Sequence, residues 1–224
     1  MAEQIPFQKK RNNETTWTHN DFFDENGYLI LKNLSNPEKL YHPVPEEKGQ
    51  YNYWDENPEH FNYVPVEQQV EGSTSRYWHP QYRAIHSGIR MKLEEIIGRK
   101  LYNTYYYDRY YFPGQELIKH VDRNACEISI SVHVGTNLKG EDAKWPFWIK
   151  TPSGEERSVS LEPGDGLLYK GCERPHWRDP MPGVRKRDII PFLKKTNPYY
   201  YHQIFFHYVL QDGHRAYCAW DRAR

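Results

Sequence analysis

The chain has 224 residues, with 30 Lys and Arg against 30 Asp and Glu and a formal net charge of +0. That length suits one domain with an N-terminal extension, and the balanced charge implies no basic face, so nucleic acid is not an expected partner. No apolar run is long enough to cross a bilayer, and the start "MAEQIPFQKKRNN" lacks a signal-peptide core. Three widely spaced cysteines, Cys126, Cys172 and Cys218, with no CxxC pair, exclude a zinc ribbon or disulfide framework and point to a reducing cytoplasm.

In chain order, "NNETTWTHNDFFDENG" is polar and turn-rich and reads as a helix start capped by Thr18 or Asn20. A strand, "GYLILKNL", follows the break at Gly27. Residues 35–80 are rich in Pro, Tyr, Asn and Glu and sustain no period. Such segments serve as lids or binding loops, and the many aromatics favour order, so residues 40–77 are expected to form a substrate loop or a spacer of the core. Ile85, Ile89, Leu93, Ile96 and Ile97 then recur at helical spacing, with Gly98 as the stop.

Beyond Lys100 the chain breaks into short β-prone runs at 104–112, 117–121, 127–134, 145–150, 157–161, 166–169, 175–178 and 203–210, with a ninth at 216–220. Turn chemistry separates them: Pro113-Gly114, "NLKGEDA", "PSGEE", "EPGDG" and "PMPG". Many short strands with such turns indicate a mainly β fold, a jelly roll or barrel, with the N-terminal helices packed on one sheet. Residues 1–100 form the helical and irregular N-terminal part and 101–224 the β core of one folded unit. The run "ISISVHV" alternates Ile128, Ile130, Val132 and Val134 with Ser129, Ser131 and His133, as a sheet with one buried face does.

Two His-x-Asp pairs occur, His19-x-Asp21 and His120-x-Asp122. With eleven His and eleven Asp, chance alone supplies about half a pair per chain, the false-positive risk of any short motif. Only the His120-x-Asp122 copy falls in the β-prone part of the chain, beside the 117–121 run, and on a strand residues two apart share a face and can converge on one ion. The third ligand is open among His133, His176, His202, His207 and His214. His176 follows the most turn-marked strand pair and a proline that keeps the backbone extended; His207 is the next candidate. Two His and one carboxylate with open positions point to non-heme Fe(II) and oxygen chemistry, and a three-ligand catalytic zinc is the competitor.

The segments "YYFPGQELIKHVDRN" and "LEPGDGLLYKGCERPHWRD" resemble the Fe(II)/2-oxoglutarate-dependent oxygenases of the double-stranded β-helix, cupin-like type, both the prolyl hydroxylases and the alkylated-base demethylases. "FFDENGYLILKNL" is similar to the entry segment of many such enzymes. The resemblance covers 105–209 well and the first hundred residues loosely. It implies Fe(II) held by His120, Asp122 and His176, 2-oxoglutarate and O2 as cosubstrates, and hydroxylation of an unactivated C–H bond. The first expectation for the substrate is a protein residue of prolyl type. A small metabolite or nucleobase is the alternative within the enzymes, and a non-catalytic cupin-like module the alternative outside them.

Relatives hold the far carboxylate of 2-oxoglutarate with Arg or Lys on the strand after the distal His. The final strand here, "YYYHQIFFHYV", has neither. Arg178 shares the face of His176 and is the favoured anchor, its bland alternative being a surface pair with Asp179. Arg185, Lys186 and Arg187 form the second choice, in a run that otherwise reads as a solvated loop. Gln203 and His207 are expected to add hydrogen bonds, and Tyr111, in the Tyr-x-Pro-Gly position, to bring a phenol to the cosubstrate. Tyr105, Tyr107 and Arg109 share its strand face, where plain packing is the simpler expectation for some of them.

Overall fold

The computed structural model describes residues 7–9, 17–183 and 199–220. Local chemistry builds the first elements as expected. Helix α1 (Asp21–Asn26) starts at Asn20, whose side chain accepts from Phe23 N–H, and stops at Gly27, where φ is 74°. Strand β2 (Tyr28–Lys32) follows, paired in parallel with a short β1 (Phe7–Lys9). Residues 35–80 are more regular than their sequence suggests. They hold α2 (Pro37–Leu40), β3 (Gly49–Tyr53), β4 (Phe61–Val64) and β5 (Thr74–Tyr77). These strands carry tyrosines and polar residues rather than aliphatic runs, so their pattern is weak; β5 pairs with the core and β3 and β4 extend the same sheet. Helix α3 (Arg83–Ile97) ends at Gly98 with φ 69°.

The β core comprises β6 (Leu101–Tyr111), β7 (Leu117–His120), β8 (Ile128–Thr136), β9 (Phe147–Lys150), β10 (Glu156–Val159), β11 (Gly166–Tyr169), β12 (His176–Arg178) and β13 (Tyr201–Leu210). The expected ninth run is instead a 3-10 turn, Ala216–Cys218. Two sheets form, β1-β2-β11-β8-β13-β6-β5-β3-β4 and β10-β9-β12-β7. The eight core strands are thus split four and four, the jelly-roll arrangement.

The apolar face of the large sheet does not point at the small one. Ile128, Ile130, Val132, Val134, Ile204 and Phe206 pack with Ile89, Leu93 and Ile96 of α3 in the main core. Their neighbours Ser129, Ser131, His133, Gln203 and His207 are equally buried and lie on the opposite face, between the sheets. The alternation in "ISISVHV" therefore separates a dry face from a polar interior rather than from solvent.

A buried hub ties β5 to β6. Asp108, 0% exposed, accepts from Arg76 Nε at 3.0 Å, from Tyr82 Oη at 3.3 Å and from His202 Nε2 at 2.7 Å. Arg76 also donates to the Pro43 carbonyl at 2.9 Å. Burial opposes charge on Asp108, but the Arg76 guanidinium and His202 imidazole hold its carboxyl well below the usual range. We predict that Asp108→Ala costs about 3–5 kcal/mol in chemical denaturation, because it strands a buried guanidinium. The pair's contribution should be complete above about pH 4, where an unfolded carboxyl is ionised, and fade as the pH falls towards the lower folded value. A loss under 1 kcal/mol would show that the change leaves no uncompensated charge on Arg76.

Candidate metal centre

Strand β12 lies between β9 and β7, and its register sets His176 directly opposite His120. Side chains of such partners share a face, and the two imidazole centroids are 4.4 Å apart. Asp122 follows β7 in a loop held by its own N–H donating to the Gly171 carbonyl at 2.9 Å. Its Oδ1 is 3.5 Å from Nε2 of His120 and 3.5 Å from Nε2 of His176. His120 Nδ1 donates to the Ile118 carbonyl at 2.7 Å and His176 Nδ1 to the Arg174 carbonyl at 2.8 Å. A carbonyl only accepts, so each Nδ1 carries a proton and each ring turns its Nε2, the atom left to coordinate a metal, to the Asp122 side. The donor set, two oriented imidazoles and one carboxylate within 4.8 Å of one another, fits a divalent transition metal.

Asp122 is positioned by more than its ligand partners. Ser129 Oγ donates to Asp122 Oδ2 at 3.1 Å and lies 2.9 Å from His207 Nδ1. A side chain at Gly171 would collide with Asp122 Oδ2 and the Cys126 carbonyl. Burial opposes the charge on Asp122, yet His176 and His120 hold its carboxyl well below the normal range. Burial lowers His207 to about 4, against the pull of Asp122. Burial, reinforced by the Asp122 charge, pushes the Cys126 thiol well up.

A cavity of about 450 Å³ is lined by His120 and Asp122 of the triad and by His207 and Cys126. Residues before the β core line one side of it, including Gln50, Gln68 and Gln69, and Gln69 Nε2 is 3.3 Å from His120 Nε2. Tyr77 stacks on Tyr107 at 4.6 Å on another side. The loop that carries Gln69 is held by Glu67, which accepts Gln69 N–H at 2.9 Å and Val70 N–H at 2.5 Å. Glu67 pairs with Arg109 Nη2 at 2.6 Å, both side chains 0% exposed. Sequence reasoning missed Glu67, Gln69, Ser129 and Gly171; only the parity of Arg109 with Tyr111 hinted at an inward cation. A separate cavity of about 310 Å³, lined by Trp54, Trp78 and Tyr106 among others, holds none of the triad.

Arg178 is buried on β12 and not at the surface. Its Nη1 donates to the Trp145 carbonyl at 2.6 Å. Its guanidinium carbon lies 4.4 Å from the Trp145 ring centroid and 4.9 Å from that of Tyr201. No carboxylate, Asp179 included, pairs with it among the described residues, and its Nε has no partner. Burial lowers its pKa. Tyr111 is buried nearby against Trp145 and accepts from Arg109 Nη1 at 3.3 Å. Gln203 donates to Ser131 Oγ at 2.8 Å and leaves its own Oε1 buried and unmatched. His207 stands by Asp122, joined to it through Ser129. Arg185, Lys186 and Arg187 lie outside the described residues. The other His-x-Asp pair, with Asp24, is an exposed cluster at the start of α1.

With this geometry in hand, comparison with solved structures is informative. A Pseudomonas putida prolyl-4-hydroxylase matches with TM-score 0.55 and 14% identity over 84% of this chain and 95% of its own. A Burkholderia pseudomallei oxidoreductase of the 2OG-Fe(II) oxygenase family matches with TM-score 0.55 and 11% identity over 96% and 98%. This chain has the fold of the 2OG-Fe(II) oxygenases. A Trichoplax adhaerens prolyl hydroxylase, in complex with a peptide fragment of the hypoxia inducible factor oxygen degradation domain, matches with TM-score 0.55 and 12% identity over 84% and 86%. No protein-family model and no curated protein matches the sequence. The double-stranded β-helix is thus shared at identities where sequence comparison is silent. No described helix is long and apolar enough to cross a membrane.

We predict that His120→Ala, Asp122→Ala and His176→Ala each abolish tight Fe(II) binding in titration calorimetry, with circular dichroism confirming the fold. His19→Ala/Asp21→Ala should change affinity less than about twofold, under 0.5 kcal/mol. A tenfold loss in that double variant would mean the wrong pair was chosen.

Proposed function

We propose that this chain is a non-heme Fe(II)- and 2-oxoglutarate-dependent dioxygenase that hydroxylates an unactivated C–H bond, with a protein residue of prolyl type as its substrate. The observation that carries the reading is the convergence of His120, Asp122 and His176 beside an interior that also holds a buried guanidinium, Arg178, with no carboxylate partner among the described residues. Two imidazoles and one carboxylate leave coordination positions open, which suits Fe(II) oxygen chemistry better than a closed structural site. When bound there, iron supplies the oxidative decarboxylation of 2-oxoglutarate by O2 and the hydroxylation of the substrate.

The chain's own residues supply orientation and a dry pocket. Arg178 binds the far carboxylate of 2-oxoglutarate, whose two oxygens match the guanidinium fork. The aromatic walls of Trp145 and Tyr201 keep water from that pair and so strengthen it. Tyr111 and the unmatched Gln203 Oε1 offer polar groups along the same interior. Ser129 holds Asp122 Oδ2, leaving Oδ1 toward the imidazoles. Gln50, Gln68 and Gln69 present amides to the substrate. The peptide assignment is supported by the peptide-bound Trichoplax enzyme of the same fold and by this amide lining.

Two measurements test the reading. Anaerobic Fe(II) with 2-oxoglutarate should give a weak visible charge-transfer band, since both must occupy one site; its absence with iron demonstrably bound would leave a metal-binding module and no oxygenase. Arg178→Ala should raise the 2-oxoglutarate dissociation constant at least ~30-fold, because truncating one member of a buried charge pair costs about 2–5 kcal/mol. Arg178→Lys should recover part of it, and Fe(II) affinity without cosubstrate should stay unchanged. Normal 2-oxoglutarate binding by Arg178→Ala, with a loss in Arg187→Ala or Arg185→Ala, would move the anchor to the Arg185–Arg187 cluster.

A further inference from the structure

Beside the triad stands a second set of metal-binding atoms. One carboxylate oxygen of Asp122, the Cys126 sulfur and a ring nitrogen of His207 lie within 4.8 Å of one another. Cys126 sits in the 3-10 turn Asn124–Cys126, which is pinned to β6 by Thr104 Oγ1 donating to the Ala125 carbonyl at 2.7 Å. His207 is inward on β13. Both residues are 2% exposed. Cys126 is a free thiol. His207 Nδ1 is engaged by Ser129, whereas its Nε2 is buried with no hydrogen-bond partner. A buried imidazole nitrogen without a partner is costly to keep, and here it belongs to a ring that already faces a carboxylate and a thiol.

We propose that Asp122, Cys126 and His207 form a second metal site, which takes a thiophilic divalent ion of the zinc class and shares Asp122 with the iron centre. Thiolate, imidazole and carboxylate are the ligand types of zinc, while the His120–Asp122–His176 set has no sulfur. Coordination releases the thiol proton of Cys126, as it does for any metal-bound cysteine. One Asp122 side chain serves both positions, so an ion in the second draws on a ligand that the first requires. Zinc-class ions therefore inhibit through Cys126 as well as by displacing iron. That inhibitory consequence rests on the oxygenase reading; the binding itself does not.

Co(II) is the probe, used on the full chain with Cys172→Ser and Cys218→Ser so that Cys126 is the sole thiol. Saturation should produce a near-ultraviolet sulfur-to-cobalt charge-transfer absorption. The band should vanish on adding Cys126→Ser and fall at least fivefold on adding His207→Gln. It should persist in the His120→Ala/His176→Ala background, which separates this site from the iron centre even if the oxygenase reading fails. Circular dichroism checks each fold, and His207→Gln carries the test if Cys126→Ser does not fold. The proposal is overturned by a parent protein without the band, by a band that survives Cys126→Ser or is unchanged in His207→Gln, or by its loss in a folded His120→Ala/His176→Ala variant.

Discussion

One cross-strand register underlies the site: His120 on β7 opposite His176 on β12. In a β-ladder a shift of one residue turns a side chain to the other face, so a slip here would part the imidazoles and turn Arg178 out of the interior. The register is held from several directions. At one end Asp122 N–H donates to the Gly171 carbonyl. At the other, Gly114 N–H donates to the Met181 carbonyl at 2.8 Å and Met181 N–H to the Gln115 carbonyl at 2.7 Å. Across the strand, His176 pairs with Ile149 of β9, and Lys150 N–H donates to the Pro175 carbonyl at 2.8 Å. The irregularity between His176 and Arg178 leaves both residues on β12 buried.

Holding a polar interior has an energetic consequence. The space between the sheets sets Ser129, Ser131, Arg109, Glu67, Gln203 and His207 among buried aromatic side chains such as Tyr105, Tyr107, Tyr111 and Phe205. The aliphatic packing is concentrated between α3 and the outer face of the large sheet, and in a further cluster of Ile30, Phe147, Ile149 and Leu167. The helix layer thus carries most of the aliphatic core, and the buried polar groups are gathered on the inner face. Buried ion pairs such as Glu67–Arg109 add little net stability, because desolvation offsets their attraction. What this pair does is geometric: it fastens the Gln68-Gln69 loop to β6 at the cavity that His120 and Asp122 line.

Local features were legible because they depend on near neighbours. The cap at Asn20, the stops at Gly27 and Gly98, the periodicity of α3 and the turn-bounded strands of the β core all follow from backbone preferences and from patterns a few residues wide. The His120-x-Asp122 spacing was legible too, but strand parity does not place Asp122: β7 ends at His120, and the Asp122 N–H bond to the Gly171 carbonyl sets its loop. Residues 35–80 were not legible as strands: β3, β4 and β5 carry Gln, Asn, Ser and Tyr, and their pairing with β6 and with one another replaces any strong local pattern. The 216–220 run, short and without a polar–apolar alternation, closes as a turn instead.

The sequence by itself determined the β core, the capped helices and the His120-x-Asp122 pair. The tertiary structure decided that His176 meets that pair while His207 reaches Asp122 through Ser129. It also decided that Arg178 is buried away from Asp179, that both faces of β8 are covered, and that Glu67 reaches Arg109. The reason is physical: chain-local sterics and hydrogen bonding specify an element, whereas the partner of a strand face depends on which distant segments bury one another, a choice made by the whole fold at once.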